Sequence, residues 1–293
     1  PQRPQLLYAA TSGGLFQSAD GADSWRRVAE RTLATQEVLS LAIAPSDTQH
    51  VYAGTQQGRV WHSSDGGQSW RVSTEGLPAK IIWSLAVDPL EPTRVYAGSD
   101  AIYRSEDGGV RWQRLSFPAG ISRVTTCAVH PLAPERLYAG TEQGVWLSED
   151  GGASWRAASG WPAGVSVRTL LITRGAGADV DWVLLAGTDQ GIYRGRDLGV
   201  HWALATEDGM RQAVTALTCP AALPFVLYAA LQERAIARSV DGGITWEAIP
   251  VELRGGAVTA LALDPERPGL LYAGTAATIY RSKDMGGHWE ETS

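Results

Sequence analysis

Ser63-Ser64-Asp65-Gly66-Gly67-Gln68-Ser69-Trp70, SSDGGQSW, decides how this chain is read, because the phrase returns six more times. The other copies are SADGADSW (18–25), SEDGGVRW (105–112), SEDGGASW (148–155), GRDLGVHW (195–202), SVDGGITW (239–246) and SKDMGGHW (282–289). Together they define a box, S-x-D-x-G-x-x-W. Its aspartates are Asp20, Asp65, Asp107, Asp150, Asp197, Asp241 and Asp284, and its tryptophans are Trp25, Trp70, Trp112, Trp155, Trp202, Trp246 and Trp289. The aspartates are 42 to 47 residues apart, a period that marks a repeat architecture.

Three further phrases keep step with the box. VLSLAIAP (38–45), IWSLAVDP (82–89) and VTALALDP (258–265) come first in their units, as strand A. About six residues later comes VYAGT or LYAGT, strand B, with its tyrosine at Tyr52, Tyr96, Tyr138 or Tyr272. A short turn then leads into GVWLS or AIYRS, strand C, which runs into the box, and the box tryptophan opens strand D. The segments are short, β-branched or aromatic, and bounded by Gly, Pro or Asp, which is a strand signature; none has a helical period. Four antiparallel strands per unit predict an all-β, seven-bladed β-propeller. The expected blades are 1–31, 37–77, 81–118, 122–161, 165–208, 212–251 and 256–293, in one domain. Strand A occurs only six times: the first blade opens at LLYAAT (6–11), a B strand, and lacks its innermost strand. That strand lies outside the chain, comes from a partner, or is absent.

Each residue of the box has a conformational role. The aspartate accepts backbone N–H groups a few residues ahead, the glycine supplies a positive φ, the serine ties the turn, and the indole fills space and offers its N–H to a carbonyl. Seven equivalent copies cannot each be an active site. A calcium loop would need several carboxylates that DGGxS lacks.

S-x-D-x-G-x-x-W resembles the Asp-box, or BNR repeat, and the chain is identified as a member of that propeller superfamily over nearly all its length. Sialidases, xyloglucan-active glycoside hydrolases, sortilin-type receptors and photosystem II assembly factors carry it; the cadence VYAGT…GVYRSxDGGxSW is most similar to BNR-like proteins of the glycosyl-hydrolase-like or photosystem-assembly-like kind. The resemblance implies the fold strongly and the function weakly, since the box is structural in all of them. Ala22 in place of glycine and Gly195 in place of serine depart from the pattern, so the first and fifth hairpins are expected to be the less regular ones.

The resemblance to sialidases implies a tyrosine nucleophile, an arginine triad and an F-R-I-P-like segment. All nine tyrosines sit at repeat positions and the segment is missing. The related xyloglucanases imply two propellers across a cleft. His201, His288, His62 and His130 fill repeat slots, and no catalytic triad suggests itself. No catalytic residue, metal site or cofactor is expected.

Net charge is −6, which gives no reason to expect nucleic acid as a partner. The only cysteines, Cys127 and Cys219, read as buried free thiols without disulfide or metal spacing. The uncharged run 214–232 contains Pro220 and Pro224 and aligns with two repeat strands, so no transmembrane segment is expected. The chain opens without Met or an apolar leader, and we read it as an exported protein, periplasmic or extracellular, in preference to a cytoplasmic one.

Binding is expected opposite the boxes, on the loop face built from the D–A and B–C connections, which break the repeat most. Its non-repeat residues include Arg123, Arg168, Arg211, Arg254, Trp83 and Trp161. The B–C turns add Gln56, Gln57, Arg59, Glu142, Gln143, Asp189, Gln190, Glu233 and Arg234. Converging arginines suit a carboxylate, a sulfated glycan or an acidic peptide. The alternative is solvated arginines paired with acids such as Glu207 and Asp208. Trp83 reads as a core plug, a sugar platform or a protein hot spot. The function expected is a non-catalytic scaffold or assembly factor that binds a protein on the loop face; the alternative is a glycan-binding or glycoside-hydrolase-like protein.

Overall fold

A computed structural model describes residues 5–28, 31–175, 182–206, 210–233, 235–249, 251, 253–265 and 267–292. Among the described residues twenty-seven strands fall into seven antiparallel sheets, each joined in simple up-and-down order. The chain is an all-β, seven-bladed propeller with four-stranded blades, except that the first has three strands. Blade 1 consists of β1 (Leu7–Thr11), β2 (Gly14–Ser18) and β3 (Arg26–Arg27). Blade 2 shows the complete unit: β4 (Val38–Ile43), β5 (Val51–Thr55), β6 (Val60–Ser63) and β7 (Arg71–Ser73). The only α-helix among the described residues is a single turn, Arg31–Ala34, in the connection between these two blades.

Two compact units divide the chain, 1–157 with blades 1 to 4 and 158–293 with blades 5 to 7. Within each unit the first strands of successive blades lie beside one another. The second strands carry the core: VYAGT (51–55), LYAGT (137–141) and LYAAL (227–231) are buried at every residue. Both faces of these strands are covered by neighbouring blades, so they read as continuous apolar runs without alternation. In the first unit one cluster runs from Tyr52 and Val60 through Val95, Ile102 and Trp112 to Leu137. In the second, Leu185, Val214 and Leu227 form one cluster and Tyr228, Val258 and Leu271 another.

The alanine of the second strand is followed by a glycine in five of the six complete blades. At Gly187 an added Cβ would fall 2.6 Å from both Thr169 Cγ2 and Val214 Cγ1. Gly54 and Gly98 are closed off in the same way by Ser40 with Ile82, and by Ser84 with Val124. The A-G-T cadence therefore records how closely a blade approaches its own first strand and the next blade.

Candidate functional site

Each blade has two ends, one carrying the box and one carrying the D–A and B–C connections. At the box end the geometry is that of a turn lock. Ser63 Oγ accepts the Gly67 N–H at 2.7 Å and donates to Asp65 at 2.8 Å, and Asp65 accepts the Gln68 and Ser69 amides, each at 2.9 Å. Five of the seven indoles donate to the carbonyl of the glycine three residues back, Trp70 to Gly67 at 3.2 Å among them. Among the described residues Trp246 Nε1 has no acceptor. Hydrogen bonds from the Ser154 hydroxyl and amide, then Ser148, hold Asp150 down to about 2. A carboxylate so held is an acceptor and a poor proton donor at neutral pH.

Of the two irregular hairpins expected, only the fifth is irregular. The first keeps every serine and aspartate bond, and Ala22 adopts the positive φ of 74° that the missing glycine would have supplied. The fifth has no serine to bridge the turn; it winds into a short 3-10 segment with Asp197 and Leu198 both at positive φ.

What these turns do beyond themselves is tertiary and was not legible in the repeat. Gln17 Nε2 donates to the Gly66 carbonyl at 3.1 Å, Arg104 to Gly151 at 3.1 Å and Arg194 to Gly242 at 3.0 Å. Each donor lies in the blade preceding its acceptor. The boxes thus present carbonyls that clasp neighbouring blades. A cleft of about 310 Å³ also lies at the box end, between Arg94, Arg104, Glu106, Glu135 and Asp150, away from the loop-end arginines.

The loop end of the first unit brings Arg123 over the ring of Trp83, with its guanidinium 5.2 Å from the ring centre. Trp83 is half-buried and Arg123 exposed. Glu142 lies close by, accepting both the amide and the hydroxyl of Ser122 at 2.8 Å. Its burial would raise its pKa, but the Ser122 bonds, helped by Arg123, lower it. Lys80 pairs with Asp100 at 2.6 Å. The result is an aromatic–guanidinium platform beside a carboxylate.

The second unit places Arg168, Arg211 and Arg254 at the same end of three successive blades, all exposed. Arg168 is the extra residue of a bulge, since Val167 pairs with Thr188 and Thr169 with Gly187. The bulge slot holds a threonine that bonds to its own sheet in blades 4 and 6, Thr125 to the Gly140 carbonyl and Thr215 to that of Ala230, and Leu39 in blade 2. Bulges redirect side chains, and where the slot holds Arg168, or Trp83 at the matching position, the side chain has no such backbone partner. The repeat shows Trp83 at a strand position held elsewhere by Leu, Thr or Arg, so the slot is legible in the sequence and the bulge beneath it is not. Trp161 donates to the Val165 carbonyl at 3.0 Å and packs 5.0 Å from Trp202 and 5.3 Å from Tyr193, so most of its ring serves blade 5. Glu207, Asp208 and Arg234 lie outside the described residues.

Ion pairs engage some of the arginines and leave others. At the box end and along the strands leading to it, Arg94 pairs with Asp88 and Glu106, Arg104 with Glu106, Arg238 with Glu247, Arg267 with Asp264 and Arg281 with Glu290. Arg123, Arg168 and Arg254 at the loop end, and Arg71, Arg136 and Arg196 at the box end, have no ion-pair partner among the described residues. None of these residues gathers into a metal-binding group of His, Cys, Asp or Glu among the described residues. No described helix is long and apolar enough to cross a membrane.

No family model matches the chain, and no curated protein matches it. Solved structures do. The chain is similar to a GH74 xyloglucanase from Xanthomonas campestris, with a TM-score of 0.79 and 20% identity over 97% of this chain and 50% of that one. It therefore spans about half the length of that enzyme. It is also similar to YCF48 from Cyanidioschyzon merolae, with a TM-score of 0.62 and 14% identity over 87% of this chain and 84% of that one. YCF48 bound to a D1 peptide gives a TM-score of 0.64 and 16% identity over 88% of this chain and 82% of that one. At such identities the likeness is one of fold: the chain is a seven-bladed propeller whose architecture serves both glycoside hydrolases and a peptide-binding protein.

Proposed function

We propose that the chain is a non-catalytic Asp-box propeller, an assembly or accessory scaffold that binds a protein through its loop end. The observation that carries this reading is the set of exposed arginines at the loop end, with Arg123 stacked on Trp83. Exposed arginines outside ion pairs are the groups that carboxylate-bearing or acidic peptides engage, and Arg with Trp is enriched in the anchors of protein interfaces. A peptide complex of YCF48, a protein of comparable length and fold, supports it by analogy. Conversely, no tyrosine is set apart as a nucleophile: Tyr52, Tyr138 and Tyr228 are fully buried members of the repeat.

Stacked Arg123 and Trp83 beside Glu142 also favour a second reading, in which the platform receives a sugar ring and the carboxylate its hydroxyls. One experiment separates the two. The chain and its Arg123→Glu/Arg168→Glu/Arg254→Glu variant are used to capture partners from the source organism and to probe a glycan array. The first reading expects a partner whose capture weakens at least about tenfold on charge reversal and falls with salt. An Arg156→Glu control at the box end, where Arg156 faces Glu149 at 3.8 Å, retains it. Capture unaffected by the triple reversal overturns the protein-binding reading. Glycan binding abolished by Trp83→Ala replaces it with the second.

A further inference from the structure

The joint between blades 2 and 3 is made differently from the joints on either side of it. The residue just before the box serine reaches across to the box of the next blade: Gln17 donates to the Gly66 carbonyl, Arg104 to that of Gly151 and Arg194 to that of Gly242. Amide and guanidinium groups keep their hydrogens at neutral and acid pH. In blade 2 the same slot holds His62, whose capacity to donate depends on its proton.

His62 lies on β6 and is 4% exposed. Its ring is stacked between Tyr52 of β5 and His50, with ring centres 4.4 and 5.0 Å away. Its Nε2 is 3.0 Å from His50 Nδ1, and its buried Nδ1 has no hydrogen-bond partner among the described residues. The edge that carries Cε1 and Nδ1 faces blade 3. A Cβ added at Gly108, the counterpart of Gly66 and Gly151, would fall 3.2 Å from His62 Cε1 and 3.5 Å from Nδ1. Tyr52 closes the same joint, its hydroxyl donating to the Pro92 carbonyl at 3.0 Å. The His62 ring therefore does by packing what Gln17, Arg104 and Arg194 do with a hydrogen bond.

A proton on this ring has nothing to hold it. His50 and Arg71, the residue paired with His62 across β6 and β7, both oppose a positive charge, and Asp65 of the same blade's box favours it less. Across the joint, Asp107 and Glu91 face Tyr52; Glu91 also faces His50, which has Asp47 at 3.9 Å. Among the described residues none of these carboxylates is hydrogen-bonded or ion-paired to His62. The N–H that protonation adds would have no acceptor, and a buried charge without a partner is neutralised or expelled.

We propose that the joint between blades 2 and 3 is a proton-operated latch: the neutral His62 ring seals it, and on taking a proton the ring leaves the stack and the joint opens at its box end, while the joints at Gly66 and Gly151 stay closed. Burial, with His50 and Arg71, holds the imidazole down to about 4 in the closed joint. The open joint binds the proton more readily, so opening is suppressed above about pH 6.5 and grows as pH falls toward about 4. The latch lies at the box end and stands independently of the loop-end arginines.

The test compares the whole chain with its His62→Gln variant, which puts the amide of Gln17 in the slot, by amide hydrogen exchange at about pH 6.5 and about pH 4.5. The Gly108 amide, which donates to the Thr93 carbonyl beside the ring, is referred to the amides of Gly66 and Gly151, which donate to Gln49 and Glu135 at the neighbouring joints. Between the two pH values protection at Gly108 is expected to fall at least about tenfold relative to those references. In His62→Gln the ratio should stay level; the variant keeps Asp47, Asp65, Glu91 and Asp107, so any titration of theirs is subtracted. The His62 ring protons, followed by NMR in the parent chain, should titrate below about pH 5. An unchanged ratio in the parent, an equal fall in His62→Gln, a common fall of all three amides, or titration of His62 at about pH 6 or above would each overturn the proposal.

Discussion

At the scale of single residues, the box is held by its serine as much as by its aspartate. Ser63 is 1% exposed, and its hydroxyl is the acceptor for the Gly67 N–H inside the turn. Ser63→Ala leaves that buried donor unsatisfied and is expected to cost about 1–3 kcal/mol. Urea unfolding would give the loss, with faster exchange of the Gly67 amide as its local signature. Blade 5 is the natural version of the experiment: with Gly195 at the serine position the turn rewinds through two non-glycine residues of positive φ. His62 makes a second case. It is stacked between Tyr52 and His50, at 4.4 and 5.0 Å, with Nε2 3.0 Å from His50 Nδ1. Burial first, then the charges of His50 and Arg71, push it down to about 4, against a smaller upward pull from Asp65. A depressed histidine binds its proton more readily unfolded than folded. Its contribution is therefore complete above about pH 6.5 and fades as pH falls through about 4. His62→Leu, which copies Leu147 of blade 4, should flatten the stability–pH curve in that window relative to the parent chain. Identical slopes for the two proteins would count against it.

At the scale of the element, the blade was the most legible object in the sequence. The box fixed the C–D hairpin and its period the number of blades, because both depend on local turn chemistry. YAG-T was legible as a strand, but the reason for its glycine was not, since that reason lies in another strand and another blade. Gly98 is closed off by the Ser84 hydroxyl and by Val124 of the next blade. Gly98→Ala should cost about 1–3 kcal/mol by overpacking, although the same register position in blade 6 is the alanine Ala230, fully buried opposite Ala216. A Gly98→Ala/Ser84→Ala double variant should recover part of the loss, and chemical denaturation of the three proteins would measure the coupling. Without that recovery, the pairing of glycine with Ser or Thr and of alanine with Ala would lose its physical basis. The candidate site was less legible than the fold. Its residue types were visible as interruptions of the repeat, but the stacking of Arg123 on Trp83, the bulge beneath Arg168 and the packing of Trp161 against Trp202 are all tertiary. Reading His130 as the replacement for an aspartate in a turn was sufficient from sequence: its Nδ1 accepts the Leu132 N–H at 3.3 Å, as Asp88 accepts that of Leu90 at 2.8 Å.

At the scale of the whole molecule, the two compact units each contain one cysteine, Cys127 in the first and Cys219 in the second. Neither is in a disulfide. Burial lifts the Cys127 thiol to about 11, with Ser84 and the Gly98 amide pulling weakly the other way, and burial also raises Cys219. Thiol reagents attack the thiolate, so both sites should react far more slowly in the folded chain than in the unfolded one. Each then reports the opening of its own unit. Cys127→Ser leaves Cys219 as the reporter for blades 5 to 7, and Cys219→Ser leaves Cys127 for blades 1 to 4. In a urea series the labelling rate at each site is expected to rise with the loss of its own surroundings: Cys127 with the core around Leu85, Tyr96 and Val124, and Cys219 with that around Leu185, Val214 and Leu227. Ser63→Ala, placed in the first unit, should accelerate labelling at Cys127. Whether Cys219 accelerates with it measures directly how far the stability of one unit is shared by the other. Rapid labelling of either thiol without denaturant would mean that the half-buried segments holding Cys127 and Cys219 open locally, contrary to their packing against the two cores.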